Sequence, residues 1–233
     1  MAGMLYLVPT PIGNLSDISA RCRKTFEEAD FIAAEDTRVT LKLLNYLEIK
    51  KPLVSYYEHN KLESGPKIVR RIQEGETCVL VSDAGSPAIS DPGEDLVRLC
   101  AEAGLTVCAI PGPCALVTAL SISGLPTGRF CFEGFLSINK KSRQEHLSGL
   151  KNERRTMIFY EAPHKLLATL KDMAATFGED RRVSLCRELT KLHEEVVRTT
   201  LGEAVARYTE NPPRGEFVVV VEGAQETPVE DLS

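Results

Sequence analysis

The chain has 233 residues, 43% hydrophobic and 26% charged, with 28 basic against 33 acidic side chains and a net charge of −5. That profile belongs to an ordinary globular protein of one large or two modest domains; it excludes extensive disorder and argues against a wide, non-specific grip on nucleic acid. The apolar run Met4-Leu5-Tyr6-Leu7-Val8 is too short for a signal sequence and stops at Pro9, and no later run approaches a membrane span. A cytoplasmic protein with no membrane partner is expected.

From Met4 to about Gly124, strand-like and helix-like segments alternate. Strands are predicted at residues 5–8, 31–34, 53–56, 79–82 and 107–110, each apolar enough to be buried on both faces of a parallel sheet. Helices fit between them, on the stripes Ile18/Cys22/Phe26, Leu43/Leu44/Leu47, Ile68/Val69/Ile72 and Leu96/Leu99/Cys100/Ala103. Ser16 or Asp17 is expected to cap the first helix, and Asp91 the fourth, with Pro92 in its first turn. After Gly124 the rhythm changes, and Leu125-Pro126-Thr127-Gly128 reads as the break between units. Further strands are predicted at residues 130–135, 156–160, 183–187, 196–201 and 216–221. The third and fourth of these are too close for a crossover helix, so they are expected to pair antiparallel within a mixed sheet. The expected fold is α/β in two domains: residues 1–124 around a parallel five-stranded sheet flanked by helices, and residues 125–225 around a mixed sheet. An acidic tail, 226–233, is expected to fray.

The seven cysteines form no CxxC pair and mostly lie in apolar runs, so they read as buried thiols rather than zinc ligands or disulfides. His59, His146, His164 and His193 lack close ligand spacing, and no metal is expected. Lys140, Lys141 and Arg143 form a basic group that reads as a solvated face or as a phosphate contact.

The chemistry is expected at the strand ends. Val8 to Leu15, Ser82 to Gly93 and Ile110 to Ala115 are loops of proline, glycine and small residues that follow the first, fourth and fifth strands. In open parallel sheets, ligands bind outside the carboxyl ends of the strands, where small residues let backbone N–H groups approach. Neither GxGxxG nor GxxxxGK[ST] occurs, which argues against a nicotinamide Rossmann enzyme and a P-loop nucleotidase. Titratable side chains at or near strand ends are Glu35, Asp36, His59, Glu161 and His164, while Arg38, Arg187 and Lys191 could hold phosphate or stabilise an alkoxide.

Six ordered segments carry a resemblance: Leu7 to Leu15, Ala34-Glu35-Asp36-Thr37-Arg38, Glu58-His59-Asn60, Ser82 to Pro87, Ile110-Pro111-Gly112-Pro113 and Tyr160-Glu161-Ala162-Pro163-His164. Together they resemble the ribosomal RNA methyltransferases of the tetrapyrrole methylase superfamily, over about residues 4–223. The resemblance implies 2′-O-methylation of a cytidine in the decoding centre of 16S rRNA. It also implies S-adenosylmethionine as methyl donor in a cleft between two α/β domains, a homodimer, and a substrate presented in the assembled small ribosomal subunit. By the same resemblance Pro9, Asp83, Gly85, Ser86, Ile89, Cys114, Ala115, Tyr160 and Leu189 are donor-binding candidates. Glu35, Asp36, His59 and Glu161 are candidate catalytic groups, and Arg38, Asn60, His164, Arg187 and Lys191 candidate substrate contacts. Donor contacts are expected to be mainly backbone and apolar, because adenosylmethionine has no phosphates. Relatives often continue as a small C-terminal extension past the point where this chain stops, which puts in question any RNA or dimer contact such an extension makes. Two other readings stay open: another superfamily activity, on a tetrapyrrole or a modified histidine, and a non-catalytic RNA- or nucleotide-binding module.

Overall fold

The computed structural model describes residues 3–225; the expected tail, 226–233, lies outside the described residues. The chain divides into two compact units, one ending at Cys114 and one beginning at Ala115.

The first unit contains β1 (Met4–Leu7), α1 (Ala20–Glu28), β2 (Phe31–Ala34), α2 (Thr37–Tyr46), β3 (Leu53–Ser55), α3 (Lys61–Gln73), β4 (Cys78–Val81), α4 (Gly93–Glu102) and β5 (Thr106–Ala109). Its five strands lie in the order β3-β2-β4-β1-β5, all parallel. Right-handed crossovers with this order send α1 and α2 to one face and α3 and α4 to the other. The cores agree. Cys22, Phe26, Leu43, Leu44 and Leu47 pack with Ile32, Ala34, Val79 and Val81. Ile68, Ile72, Leu96 and Cys100 pack with Leu5, Phe31, Ala33 and Leu80. Successive strand residues thus serve opposite faces, which is why each strand reads as a continuous apolar run. Burying each large side chain contributes roughly 1.5–3 kcal/mol.

Local details differ from expectation. Asn14 caps a short 3₁₀ turn, Leu15–Asp17, and Ser19, not Ser16 or Asp17, caps α1 by accepting from the N–H of Cys22. Pro92 stands at the cap of α4 without a side-chain bond, and Asp91 accepts from the N–H of Gly93 from one place earlier. Ala103 lies exposed past the end of α4 rather than on its buried stripe.

The second unit contains α5 (Ala115–Ile122), β6 (Phe130–Phe135), α6 (Lys140–Gly149), β7 (Thr156–Glu161), α7 (Pro163–Phe177), β8 (Arg182–Arg187), β9 (Glu195–Thr200), α8 (Leu201–Glu210) and β10 (Phe217–Val221). The sheet order is β6-β7-β10-β8-β9; β6 and β7 run parallel, and every other pair is antiparallel, including the expected β8–β9 hairpin. Phe217, Val219, Val221, Met157, Phe159, Val183 and Leu185 join residues of α7 and α8 in one core. Helix α5 packs on β7 and β10. The division therefore falls before α5 and not at residue 124, because the apolar side chains Leu116, Ala119 and Leu120 are buried with this sheet.

Cys22, Cys78, Cys100 and Cys186 are buried, whereas Cys108, Cys114 and Cys131 are only partly so; none is in a disulfide among the described residues. Arg143 is no phosphate contact: it is buried and bonded to Asp172 at 2.7 Å.

Candidate active site

In the first unit β1 and β4 are neighbours, and the chain leaves β1 towards β2 on one side and β4 towards β5 on the other. Such a reversal opens a crevice at the carboxyl ends of the strands. The loops there are locked together. Thr10 and Gly85 exchange both backbone hydrogen bonds, each at 3.0 Å. Ser86 Oγ donates to the carbonyl of Pro113 at 3.0 Å, and Thr10 Oγ1 donates to that of Ser82 at 3.3 Å. Gly85 holds φ +85°, and a Cβ there would lie 3.3 Å from Ile12 Cγ2; a Cβ on Gly112 would lie 2.8 Å from that of Pro9. Glycine is needed at 85 for the backbone and at 112 for the approach.

The β4 loop is strained further on. Ala88 and Ser90 have φ of 67° and 66°, a conformation that side chains beyond glycine rarely adopt. Asp91 holds this shape: Oδ1 accepts from the N–H groups of Ala88 at 2.9 Å and Gly93 at 2.7 Å, and burial raises its proton affinity. Ile89, between the strained residues, is 44% exposed.

Asp83 ties the β2 loop to the β4 loop by accepting from the N–H of Asp36 at 3.0 Å. Glu35 and Asp36 then diverge. Burial first, and the charge of Asp83 second, raise the proton affinity of Glu35; the N–H of Asp83 works the other way, and Asp91 and Asp36 add to the rise. Asp36 is held down at about 2, chiefly by the side chain of Arg38, whose Nε and terminal nitrogen donate at 3.0 and 2.6 Å. Glu35, Asp36, Asp83 and Asp91 thus form an acidic group beside the locked loops. Pro9, Asp83, Gly85, Ser86, Ile89, Glu35 and Asp36 all lie in the loops that this network joins, and Arg38 lies on the first turn of α2 beside them.

His59 and Asn60 follow β3, the edge strand beyond β2. His59 is exposed against Tyr57, with ring centroids 6.1 Å apart. Asn60 closes its own turn, accepting from Tyr57 N–H and donating to the carbonyl of Ser55.

In the second unit the carboxyl ends of β7 and β8 flank the start of β10, which pairs Phe217 with both Glu161 and Arg187. Tyr160 packs against Phe132 and Phe135, and its hydroxyl accepts from the N–H of Leu116 at 3.2 Å, capping α5. Ala115 opens that helix, and Cys114 precedes it; both are half-buried. Glu161 is 3% exposed and accepts from Thr169 Oγ1 at 2.6 Å and Ala162 N–H at 2.9 Å, so its carboxylate pins the start of α7. That enclosure removes Glu161 from the candidate bases. His164 lies exposed on the first turn of α7. Leu189 is buried between Glu188 and Thr190, which have φ of 49° and 66°. Lys191 is held by Glu188 at 2.9 Å and Glu216 at 2.7 Å, bonds that outweigh burial and raise its proton affinity. Arg187 donates to the carbonyl of Arg214 at 2.6 Å. Lys191 is thus committed within its own unit.

The roles of Thr10 and Gly112 as fasteners depend on partners distant in the chain, whereas Asp91 acts on the backbone of its own loop; only the small-residue composition of these loops signals them. No cluster of three or more histidine, cysteine or acidic side chains suited to a metal occurs among the described residues.

Residues 4–205 match the family model for tetrapyrrole (corrin/porphyrin) methylases, and the chain belongs to that family. It is an α/β methyltransferase. Among its relatives is the ribosomal RNA small subunit methyltransferase I of Halalkalibacterium halodurans, 54% identical over 95% of this chain and 76% of that protein. The enzyme of the same name from Synechocystis is 51% identical over 95% and 80%, and that from Thermotoga maritima 46% over 96% and 100%. Among solved structures, the methyltransferase CobJ superposes with a TM-score of 0.70 at 18% identity, covering 97% of both chains. A diphthine synthase superposes at 0.69 and 16% identity, covering 97% of this chain and 92% of that one. These distant likenesses show the fold.

Proposed function

We propose that this methyltransferase transfers a methyl group from S-adenosylmethionine to the 2′-hydroxyl of a cytidine in the small-subunit ribosomal RNA, as a cytoplasmic homodimer acting on the assembled subunit. The observation that carries the donor site is the set of locked loops at the β1–β4 crevice with the acidic group beside it. Adenosylmethionine has a sulfonium and an ammonium against a single carboxylate, so it gains from nearby carboxylates. Its apolar parts suit a wall of small residues and the exposed Ile89. One structural neighbour, a uroporphyrin-III C-methyltransferase from Thermus thermophilus, is a complex with S-adenosylhomocysteine, the spent form of such a donor. Pro9, Asp83, Gly85, Ser86, Ile89, Cys114, Ala115, Tyr160 and Leu189 are the residues assigned to the donor in this reading.

The RNA substrate rests on kinship: the named relatives at 46–54% identity are ribosomal RNA methyltransferases, whereas the methyltransferase CobJ and the diphthine synthase resemble the chain at only 16–18%. The bound donor supplies a methyl group on positive sulfur, which becomes a neutral thioether as the ribose oxygen takes the methyl. The hydroxyl proton must go to a base, and we assign that role to Glu35. Its raised proton affinity brings it nearer the working pH, whereas Asp36, held at about 2, is too weak. Arg38 and His164 stay in the reading as exposed groups able to meet RNA.

The test is incubation of the purified protein with labelled donor and small subunits from cells lacking the gene, followed by nucleoside analysis. Ribose-methylated cytidine is expected. Label on a base, or none in RNA while tetrapyrrole or protein substrates accept it, would overturn the assignment.

A further inference from the structure

Within the second unit, the end of α8 and the turn after it wall a cleft of about 400 Å³, within the size range of small-molecule sites. Arg187, Arg207 and Arg214 line it against one carboxylate, Glu195. Glu195 lies 2.7 Å from Arg207 and 3.6 Å from Arg187, so three positive charges face one negative. Pro212 and Pro213 form part of the wall and have no N–H to offer.

Tyr208 also lines the cleft. It is 6% exposed, and its buried hydroxyl finds no acceptor for its O–H; the Arg207 guanidinium that interacts with its oxygen can only donate. A buried O–H left unpaired is unfavourable, and an acceptor atom entering the cleft would relieve it. The ring itself is occupied, edge-on to Phe217 at 5.7 Å, so the cleft is no platform for stacking a base. What remains is a set of guanidinium donors, the Asn211 carboxamide and one hydroxyl, suited to an anion with several acceptor oxygens.

We propose that this cleft binds a backbone phosphate of the RNA substrate, with Tyr208 and Arg214 donating to its oxygens and Arg207 supplying charge. The proposal rests on the ribosomal RNA reading. A chain of net charge −5 must hold a polyanion through local basic features, and this cleft is one.

Two variants test it. Tyr208→Phe removes only the hydroxyl, and Arg214→Gln changes an exposed side chain. Tyr208→Phe is expected to raise KM for small subunits several-fold, with kcat, calorimetric affinity for S-adenosylmethionine and melting temperature not lowered. Arg214→Gln is expected to make the slope of log binding constant against log salt shallower by about 0.7–0.9, the amount for one phosphate contact. Parent-like subunit affinity and salt slope in both variants would overturn the cleft's role. So would tight binding of inorganic phosphate or a mononucleotide that depends on Tyr208 and leaves subunit affinity unaffected, since that marks a small-anion site. If the parent binds donor but methylates no RNA, the wider reading fails, and the cleft proposal with it.

Discussion

Glu35 and Asp36 are adjacent carboxylates whose surroundings drive them apart. Burial and neighbouring acids raise the first, while Arg38 holds the second at about 2. For a base the sign is clear: Glu35 must lose its proton to act, so the turnover rate should rise with pH through its elevated value. Glu35→Gln is expected to lower kcat by about 10²-fold or more and to abolish that rising limb, measured with saturating subunits and donor. A retained limb would assign it to another group. Asp36→Asn should keep the limb. Because the folded-state value of Asp36 is depressed from 3.8 to about 2, its stabilising contribution is present above 3.8 and is lost as pH falls towards 2. Its effect is therefore on the start of α2 at neutral pH, read by urea titration.

At the scale of elements, the loops act through their fastening. Gly85→Ala must place a side chain at φ +85°, costing roughly 1–2 kcal/mol, and press on Ile12. Gly112→Ala must push the β5 loop off Pro9. Gly104 is a control, since it has φ +68° with open space around a Cβ. Gly85→Ala and Gly104→Ala are expected to lose similar stability by chemical denaturation, whereas donor affinity by calorimetry falls for Gly85→Ala and Gly112→Ala only. Equal donor affinity in all three would detach the locked loops from donor binding. The strands were readable in the sequence because runs such as Phe31–Ala34 and Cys78–Val81 are apolar and bounded by turn residues. The helix caps were less so, since Asn14, Ser16, Asp17 and Ser19 all can cap and only backbone geometry selects among them. Side-chain partners were hidden altogether: that Glu161 bonds Thr169, Tyr160 caps α5, and Ser86 reaches Pro113 depends on packing between distant segments. The same limit hid the allegiance of α5, whose apolar sequence suits either sheet.

At the scale of the molecule, the two units have separate cores, one unit with cores on both faces of its parallel sheet and the other with a mixed sheet. Thermal unfolding is expected to depart from two-state behaviour, with a calorimetric enthalpy larger than the van't Hoff value. Equality of the two would show that the cores melt as one. Leu185→Ala, at a fully buried position, is expected to cost about 2–5 kcal/mol in the second unit.

The strand order β3-β2-β4-β1-β5 also sets a timetable for biosynthesis. β1 leaves the ribosome first, yet both strands that flank it, β4 and β5, are made last in that unit. Leu5 and Val8, fully enclosed in the finished protein, must wait uncovered while the intervening helices emerge. The nascent chain therefore offers a sticky early strand to chaperones, and slowed translation before Thr106 would lengthen that exposure.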